Sequence, residues 1–367
     1  MILLAINIFL LLVTAHANDT IIKVFTNEEI AQCGDIRVPQ MTVTPEGVLL
    51  LAQCRVANAT HDDIVGDDQS RAKVVSKFSA DYGKTWSAMR VITPEAGHSH
   101  GQIVFDRKRN RVLMHYQYHP STDPSFNSSM FQRFSRDCCG TTWSPAIDIT
   151  KTVNPRCNPK APFEMQVGSA GSKIQTESGR IIFLGHSHGK DESFACRWWT
   201  DDGGESYQSS SLYTGNEASV AEVFNNTIYM DARGLGFDWV GNRTSFWSTN
   251  DGTSFGAPIA SVIREDAKFG CSAGLVSTSD GKLLFLSEPL GPGREGLTIH
   301  CSLDGGHTWP FSRLVGGLTE TAAYSALRMV PRANGSGESI LIIWEMKPNF
   351  HATTIDYSDW CEAKFLG

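Results

Sequence analysis

Three arginines stand where no turn or strand needs them: Arg37 in Ile36-Arg37-Val38-Pro39, Arg233 at the end of the strand-like run Ile228–Arg233, and Arg294 in the loop between Pro289 and Leu297. Brought together, they would make a clamp for a carboxylate or phosphate, because guanidinium offers planar paired donors and does not lose its charge. Spacing alone leaves a second reading open, that of three solvated surface arginines. The choice depends on whether the fold can gather residues so far apart in the chain.

The gathering element is a repeated phrase, Ser-x-Asp-x-Gly-x-Thr-Trp. It stands whole at Ser79-x-Asp81-x-Gly83-x-Thr85-Trp86 and at Ser302-x-Asp304-x-Gly306-x-Thr308-Trp309. Three altered copies lie between: Ser135 to Trp143 with one extra residue, Thr200 to Tyr207, and Ser248 to Phe255 with Asn250 in place of the acid. The phrase reads as a hairpin turn. The Asp accepts bonds from nearby amides, the Gly takes a positive φ, and the Thr and aromatic residue lead back into a strand. A turn repeated once per unit is scaffold rather than catalyst, so no residue of these boxes enters the candidate site.

Between the boxes run short β-rich segments, among them Lys73–Phe78, Arg111–Tyr116, Arg180–Leu184, Lys282–Leu286 and Ser339–Trp344. A repeat of about 50–65 residues holding several strands matches a propeller blade. Five boxes do not limit the count to five. The stretch from Thr321 to about Asp359 is long enough for most of another blade, and Thr20–Phe25 can supply its closing strand. The expectation is an all-β, six-bladed propeller of four-stranded antiparallel blades, one domain spanning 18–367.

Composition agrees. The chain has 367 residues and a net charge of -7, which argues against a nucleic-acid partner, and long amphipathic helical runs are absent. Met1–Ala17 reads as a signal peptide ending in Ala15-His16-Ala17, although no Lys or Arg precedes its apolar core; a membrane anchor is the alternative reading of a run short for a span. No later segment could span a bilayer. Triplets beginning at Asn18, Asn58, Asn127, Asn225, Asn242 and Asn334 fit N-glycosylation in a secreted or lumenal protein. The nine cysteines then imply some disulfides and at least one thiol left over within the monomer. No zinc-type spacing is present, and neither a cofactor nor a calcium ligand cluster is indicated.

Set in order, the non-repeating residues resemble an exo-α-sialidase (neuraminidase) of the Asp-box, or BNR-repeat, family. The resemblance rests on Ile36-Arg37-Val38-Pro39, then Asn216-Glu217 with Glu222 five residues on, then Asp231-Ala232-Arg233, Arg294 ahead of Leu297-Thr298-Ile299 and the last box, and Ala323-Tyr324-Ser325. It runs from about Arg37 to the C-terminus. It implies Arg37, Arg233 and Arg294 as the triad that grips the carboxylate of sialic acid, Tyr324 as nucleophile and Glu217 as the base that activates it. A phenol suits this substrate. A carboxylate nucleophile would meet the sugar's own carboxylate beside the anomeric carbon, whereas a neutral phenol avoids that repulsion.

The resemblance also implies an aspartate acid/base on a loop before the first box. His61-Asp62-Asp63-Ile64-Val65-Gly66-Asp67-Asp68 offers four, and counting back from Lys73 and Ser79 selects Asp67, with Asp68 next. Arg55 matches the family's arginine after a first-blade strand. Glu222 is expected to line the pocket or position an arginine. His186 and His188 fall where some animal sialidases carry tyrosines, as pocket residues or as a structural pair. The function implied is a retaining exo-α-sialidase acting on sialylated glycoconjugates, as a monomer without cofactor. A trans-sialidase, or an inactive sialic-acid-binding propeller, is the alternative.

Overall fold

A computed structural model describes residues 14–15, 19–55, 72–95, 97–118, 128–157, 165–167, 171, 173–188, 193–214, 217–233, 241–265, 270–332 and 335–362. Six antiparallel sheets follow one another along the chain, each running from an inner strand outward. Blade 1 is Asp35–Thr44, Gly47–Arg55, Ala72–Ser79 and Arg90–Val91. Blade 2 is His98–Asp106, Arg111–Tyr118, Ser129–Ser135 and Ile147–Asp148. In blade 3 the inner strand is split into Met165–Val167 and Lys173–Gln175, both paired with Ile181–His188, and Ser193–Thr200 and Gln208–Thr214 complete the sheet.

Blade 4 is Ala218–Val223, Thr227–Ala232, Gly241–Ser248 and Ile259–Glu265. Blade 5 is Gly274–Ser277, Leu284–Pro289, Leu297–Ser302 and Phe311–Leu314. Thr14–Ala15, inside the segment read as a leader, adds to blade 5 by parallel pairing with Arg313–Leu314. Blade 6 takes three strands from Ser325–Pro331, Glu338–Met346 and Asn349–Ile355, and its fourth from Ile22–Lys23, which pairs with His351–Ala352. The ring is thus a six-bladed propeller closed by an early strand, as the sequence led one to expect.

The apolar runs make sense in this architecture. In Gly47–Arg55 the side chains alternate between the two faces of blade 1. Val48, Leu50 and Ala52 pack on Leu341 and Ile343 of blade 6, while Leu49 and Leu51 pack on Ile103, Val112 and Met114 of blade 2. Both faces are buried, so the strand is apolar throughout instead of alternating. The same arrangement recurs between every neighbouring pair of blades. Truncating one such residue, Leu341→Ala for instance, should cost about 2–5 kcal/mol.

Each box joins the third strand of a blade to the fourth. In the first, Asp81 Oδ1 accepts from the amides of Lys84 (3.1 Å) and Thr85 (2.8 Å), and Ser79 Oγ accepts from Gly83 N at 2.7 Å. Gly83 has φ 102, and a Cβ there would stand 2.5 Å from Leu341 Cδ1 of the preceding blade. The box therefore shapes a turn and also seats it on the neighbouring sheet. Blade 6 has no box for a simple reason: its fourth strand is Ile22–Lys23, so no turn links its third strand to its fourth.

A short helix, Asn27–Cys33, leads from that closing strand into blade 1. Its Thr26–Glu29 capping box satisfies the first amides, and Cys33 is disulfide-bonded to Cys54. A second described disulfide joins Cys301 to Cys361, Cys196 is also disulfide-bonded, and Cys138 and Cys139 are free thiols. Among the described residues, no helix is long and apolar enough to cross a membrane.

Candidate active site

Inner strands begin, and second strands end, at the same mouth of the ring. Arg37 lies near the start of the blade 1 inner strand, and Glu217 and Tyr324 each sit one residue ahead of the inner strands of blades 4 and 6. Arg233 follows the second strand of blade 4, with its amide bonded to Glu217 O at 2.9 Å. Arg294 belongs to the loop after the second strand of blade 5. That loop is tied to the segment before Tyr324 by Ala322 N to Arg294 O (2.6 Å) and Gly296 N to Glu320 O (3.1 Å).

Tyr324 is the meeting point. The guanidinium carbons of Arg37, Arg233 and Arg294 lie 5.7, 5.9 and 5.6 Å from its ring centroid. Arg233 Nη1 donates to the Tyr324 hydroxyl at 2.9 Å and makes an ion pair of 2.5 Å with Glu217 Oε2. One guanidinium nitrogen thus touches both the phenol and the carboxylate expected to act on it. Burial raises the phenol above its ordinary pKa, Glu217 raises it further, and Arg233 and Arg294 offset this only in part. The free protein consequently holds a neutral phenol among three cations.

The arginines are themselves held. Arg37 Nε pairs with Glu345 Oε2 at 2.9 Å, and Val38 N donates to Glu345 Oε1 at 2.6 Å. Val38 has φ 57, a conformation that costs a β-branched residue about 1–3 kcal/mol. It sits where the register of the inner strand shifts between Arg37 and Gln40. Burial opposes the Arg37 charge, but Glu345 outweighs it and raises the guanidinium above its usual value. Glu345 also flanks Tyr324 through the backbone, donating from N to Tyr324 O (2.9 Å) and accepting at O from Ala323 N (2.9 Å). Arg294, at φ 64, donates from Nη2 to Gly270 O at 2.8 Å.

Other expected residues are placed less centrally. Arg55 ends the second strand of blade 1 opposite Asp35 and donates to Gln53 Oε1 from Nη2 at 3.0 Å, at the same mouth as Arg37. His186 is buried on the corresponding strand of blade 3; the backbone of His188 ends that strand, while its side chain lies outside the described residues. Asp67 and Asp68 also lie outside the described residues, between Arg55 and Ala72, which are register partners at this mouth.

Glu222 is not brought to the cluster. It lies five residues beyond Glu217 along an inner strand, about 16 Å at the usual strand rise, and borders a cavity of about 580 Å³ at the opposite mouth. There its Oε2 accepts from Glu177 N at 2.8 Å. The arginine-holding role expected of Glu222 is filled by Glu345, which the sequence reading missed. A carboxylate closing the buried run Ile340–Trp344 was the available signal. Among the described residues, no three His, Cys, Asp or Glu side chains cluster as a metal site.

Comparison with known proteins is consistent with this geometry. The family model described as a BNR repeat-like domain matches residues 65–334. A sialidase from Micromonospora viridifaciens is 24% identical over 349 residues, covering 84% of this chain and 50% of the relative. A sialidase from Bacteroides fragilis is 27% identical over 343 residues, covering 84% and 59%. The chain thus spans about half to three-fifths of these relatives. Among solved structures, the NanB sialidase of Streptococcus pneumoniae superposes with a TM-score of 0.72 at 14% identity, covering 92% of this chain and 70% of that one. The intramolecular trans-sialidase of Ruminococcus gnavus gives 0.70 at 15%, covering 90% and 96%.

Proposed function

Because the chain belongs to the BNR-repeat family of sialidases, we propose that it is a retaining exo-α-sialidase, removing terminal sialic acid from glycoproteins, glycolipids or oligosaccharides through a covalent bond to Tyr324. The observation that carries this reading is the convergence of three guanidinium groups within 5.9 Å of one phenol that shares Arg233 with Glu217. Such a set suits a sugar that bears a carboxylate on its anomeric carbon.

In the first step Tyr324 Oη attacks the anomeric carbon while its proton passes to Glu217. The bond to the leaving oxygen breaks as Asp67 protonates that oxygen. In the second step Asp67 takes a proton from water, the water oxygen attacks the same carbon, and Tyr324 departs with the proton returned by Glu217. Two displacements on one carbon retain its configuration. Arg37, Arg233 and Arg294 hold the sugar carboxylate throughout and stabilise charge gathering on the phenol. Glu217 is needed as acceptor because the phenol is held neutral.

Water is the acceptor in this reading, and measuring free sialic acid against transferred sialoside with lactose present separates hydrolysis from trans-sialylation. The disulfide Cys33–Cys54 supports folding in an oxidising compartment, in keeping with a secreted or lumenal enzyme. The decisive test is labelling with a fluorinated sialosyl donor followed by peptide mass analysis. An adduct on Tyr324 is expected. Turnover of a fluorogenic sialoside by Tyr324→Phe at the wild-type rate would overturn the assignment.

A further inference from the structure

Behind the cluster lies a buried ion network that the reaction itself does not use. Arg243, on the third strand of blade 4, is almost wholly buried. Its Nε and Nη2 both bind Asp231 Oδ1, at 2.6 and 2.5 Å. Its Nη1 donates to Cys271 O at 2.9 Å and lies 3.6 Å from Glu288 Oε2. Asp231 and Cys271 belong to different blades, and each is a step from an arginine of the site. Asp231 lies near the end of the strand Thr227–Ala232 and Arg233 follows it two residues on, its amide continuing the ladder to Glu217 O, so the alternation puts the two side chains on the same face. Cys271 follows Gly270, whose carbonyl takes the Arg294 guanidinium at 2.8 Å. Glu288 is the penultimate residue of the fully buried strand Leu284–Pro289, from which the Arg294 loop departs.

A buried ion pair is a poor source of stability, since an apolar group of similar size is often as good or better. Its better-attested use is to fix one geometry. We infer that Arg243 is a positioning residue: by tying the Asp231 strand to the Gly270–Cys271 segment and to Glu288, it sets the separation of Arg233 and Arg294 and hence how tightly the site discriminates for a carboxylate. This rests on the carboxylate-clamp reading above. It differs from the role of Glu345, which holds Arg37 from the other side of Tyr324.

The test is binding of an unsaturated sialic acid analogue and its methyl ester, together with kcat and KM on a sialoside, for wild type, Arg243→Lys, Arg243→Met and Arg180→Met. Arg180 is the control because it too bridges blades, to Asp201 (2.7 Å) and Asp251 (3.7 Å), on segments that carry none of the site residues. The expected result is a preference for acid over ester that falls about tenfold or more in both Arg243 variants, with KM raised and ester binding retained. Arg180→Met should keep the preference within about twofold even if it melts earlier. Should Arg243→Met not fold, Arg243→Lys carries the test, since lysine keeps the charge but cannot span Asp231 and Cys271 together. A folded Arg243→Lys with the wild-type preference overturns the inference while leaving the clamp intact. A wild type without any preference for the acid overturns the clamp and the inference with it.

Discussion

Arg233 and Tyr324 are 91 residues apart in the chain and 2.9 Å apart in space, with Nη1 donating to the phenol oxygen. The bond joins blade 4 to the threshold of blade 6 across the mouth of the ring. It forms only when the whole ring is assembled, so this contact reports the fold and the site together.

Removing the phenol oxygen should abolish the covalent step without disturbing the clamp. Tyr324→Phe is expected to lower kcat about a thousandfold or more while binding the unsaturated sialic acid analogue within about tenfold of wild type. Stopped-flow kinetics and calorimetry read the two quantities separately. Equal losses in both would mean that Tyr324 shapes the pocket rather than reacting.

Glu345→Gln leaves an acceptor for Val38 N but strips Arg37 of its counter-charge. Breaking a buried pair from one side costs about 3–5 kcal/mol, so a clear drop in Tm is expected. The kinetic signature should be a raised KM with a smaller change in kcat, since the role proposed for Arg37 is to hold the substrate. Glu222→Gln, at the other mouth, should leave both constants unchanged.

The acid/base can be told from its neighbour by leaving group. Asp67→Ala should turn over a sialoside with an acidic phenolic leaving group far better than one linked to galactose, since only the latter needs a proton. Asp68→Ala should treat the two substrates alike. The reverse pattern would shift the assignment by one residue.

The boxes predict a pH dependence of stability. Burial opposes the charge on Asp202, but the hydroxyl and amide of Ser206, the Thr200 hydroxyl and the Glu205 amide outweigh it and pull the carboxyl down to about 2. Asp81 and Asp304 are lowered in the same way, burial again being outweighed by their turn donors. A carboxyl lowered on folding adds stability above its unfolded value, about 4, and gives it up as pH falls through the folded value. Stability should therefore decline between about pH 4 and pH 2. In Asp202→Asn the decline should be shallower, asparagine being the residue that blade 4 already carries as Asn250. Denaturant melts across that interval check it, and an unchanged slope would remove Asp202 from the account.

Much of this was readable in the chain, and the failures have physical causes. Repeated turns announced blades, and residues at strand ends such as Arg37 and Arg233 announced a common mouth. Glu222 misled because sequence neighbours on a β-strand separate by about 3.3 Å per residue, which carried it through the ring and away from Glu217. Glu345 and Arg243 were missed because charge inside apolar strands has no periodic signature, and its meaning depends on a partner in another blade. Asn242-Arg243-Thr244, read as a glycosylation triplet, has its Arg243 and Thr244 buried within blade 4, whereas Asn225 lies in an exposed turn. The helix Asn27–Cys33 and its Thr26–Glu29 capping box were not anticipated, the β pattern having dominated the reading of the chain.

The blade that Tyr324 introduces is the one closed by Ile22–Lys23 against Asn349–Ile355. While the chain is being synthesised, Arg37 and Glu217 emerge long before the strand that must receive that early segment. The assembled cluster is thus withheld from the nascent chain until the strand Asn349–Ile355 has been made, more than three hundred residues after the segment it receives.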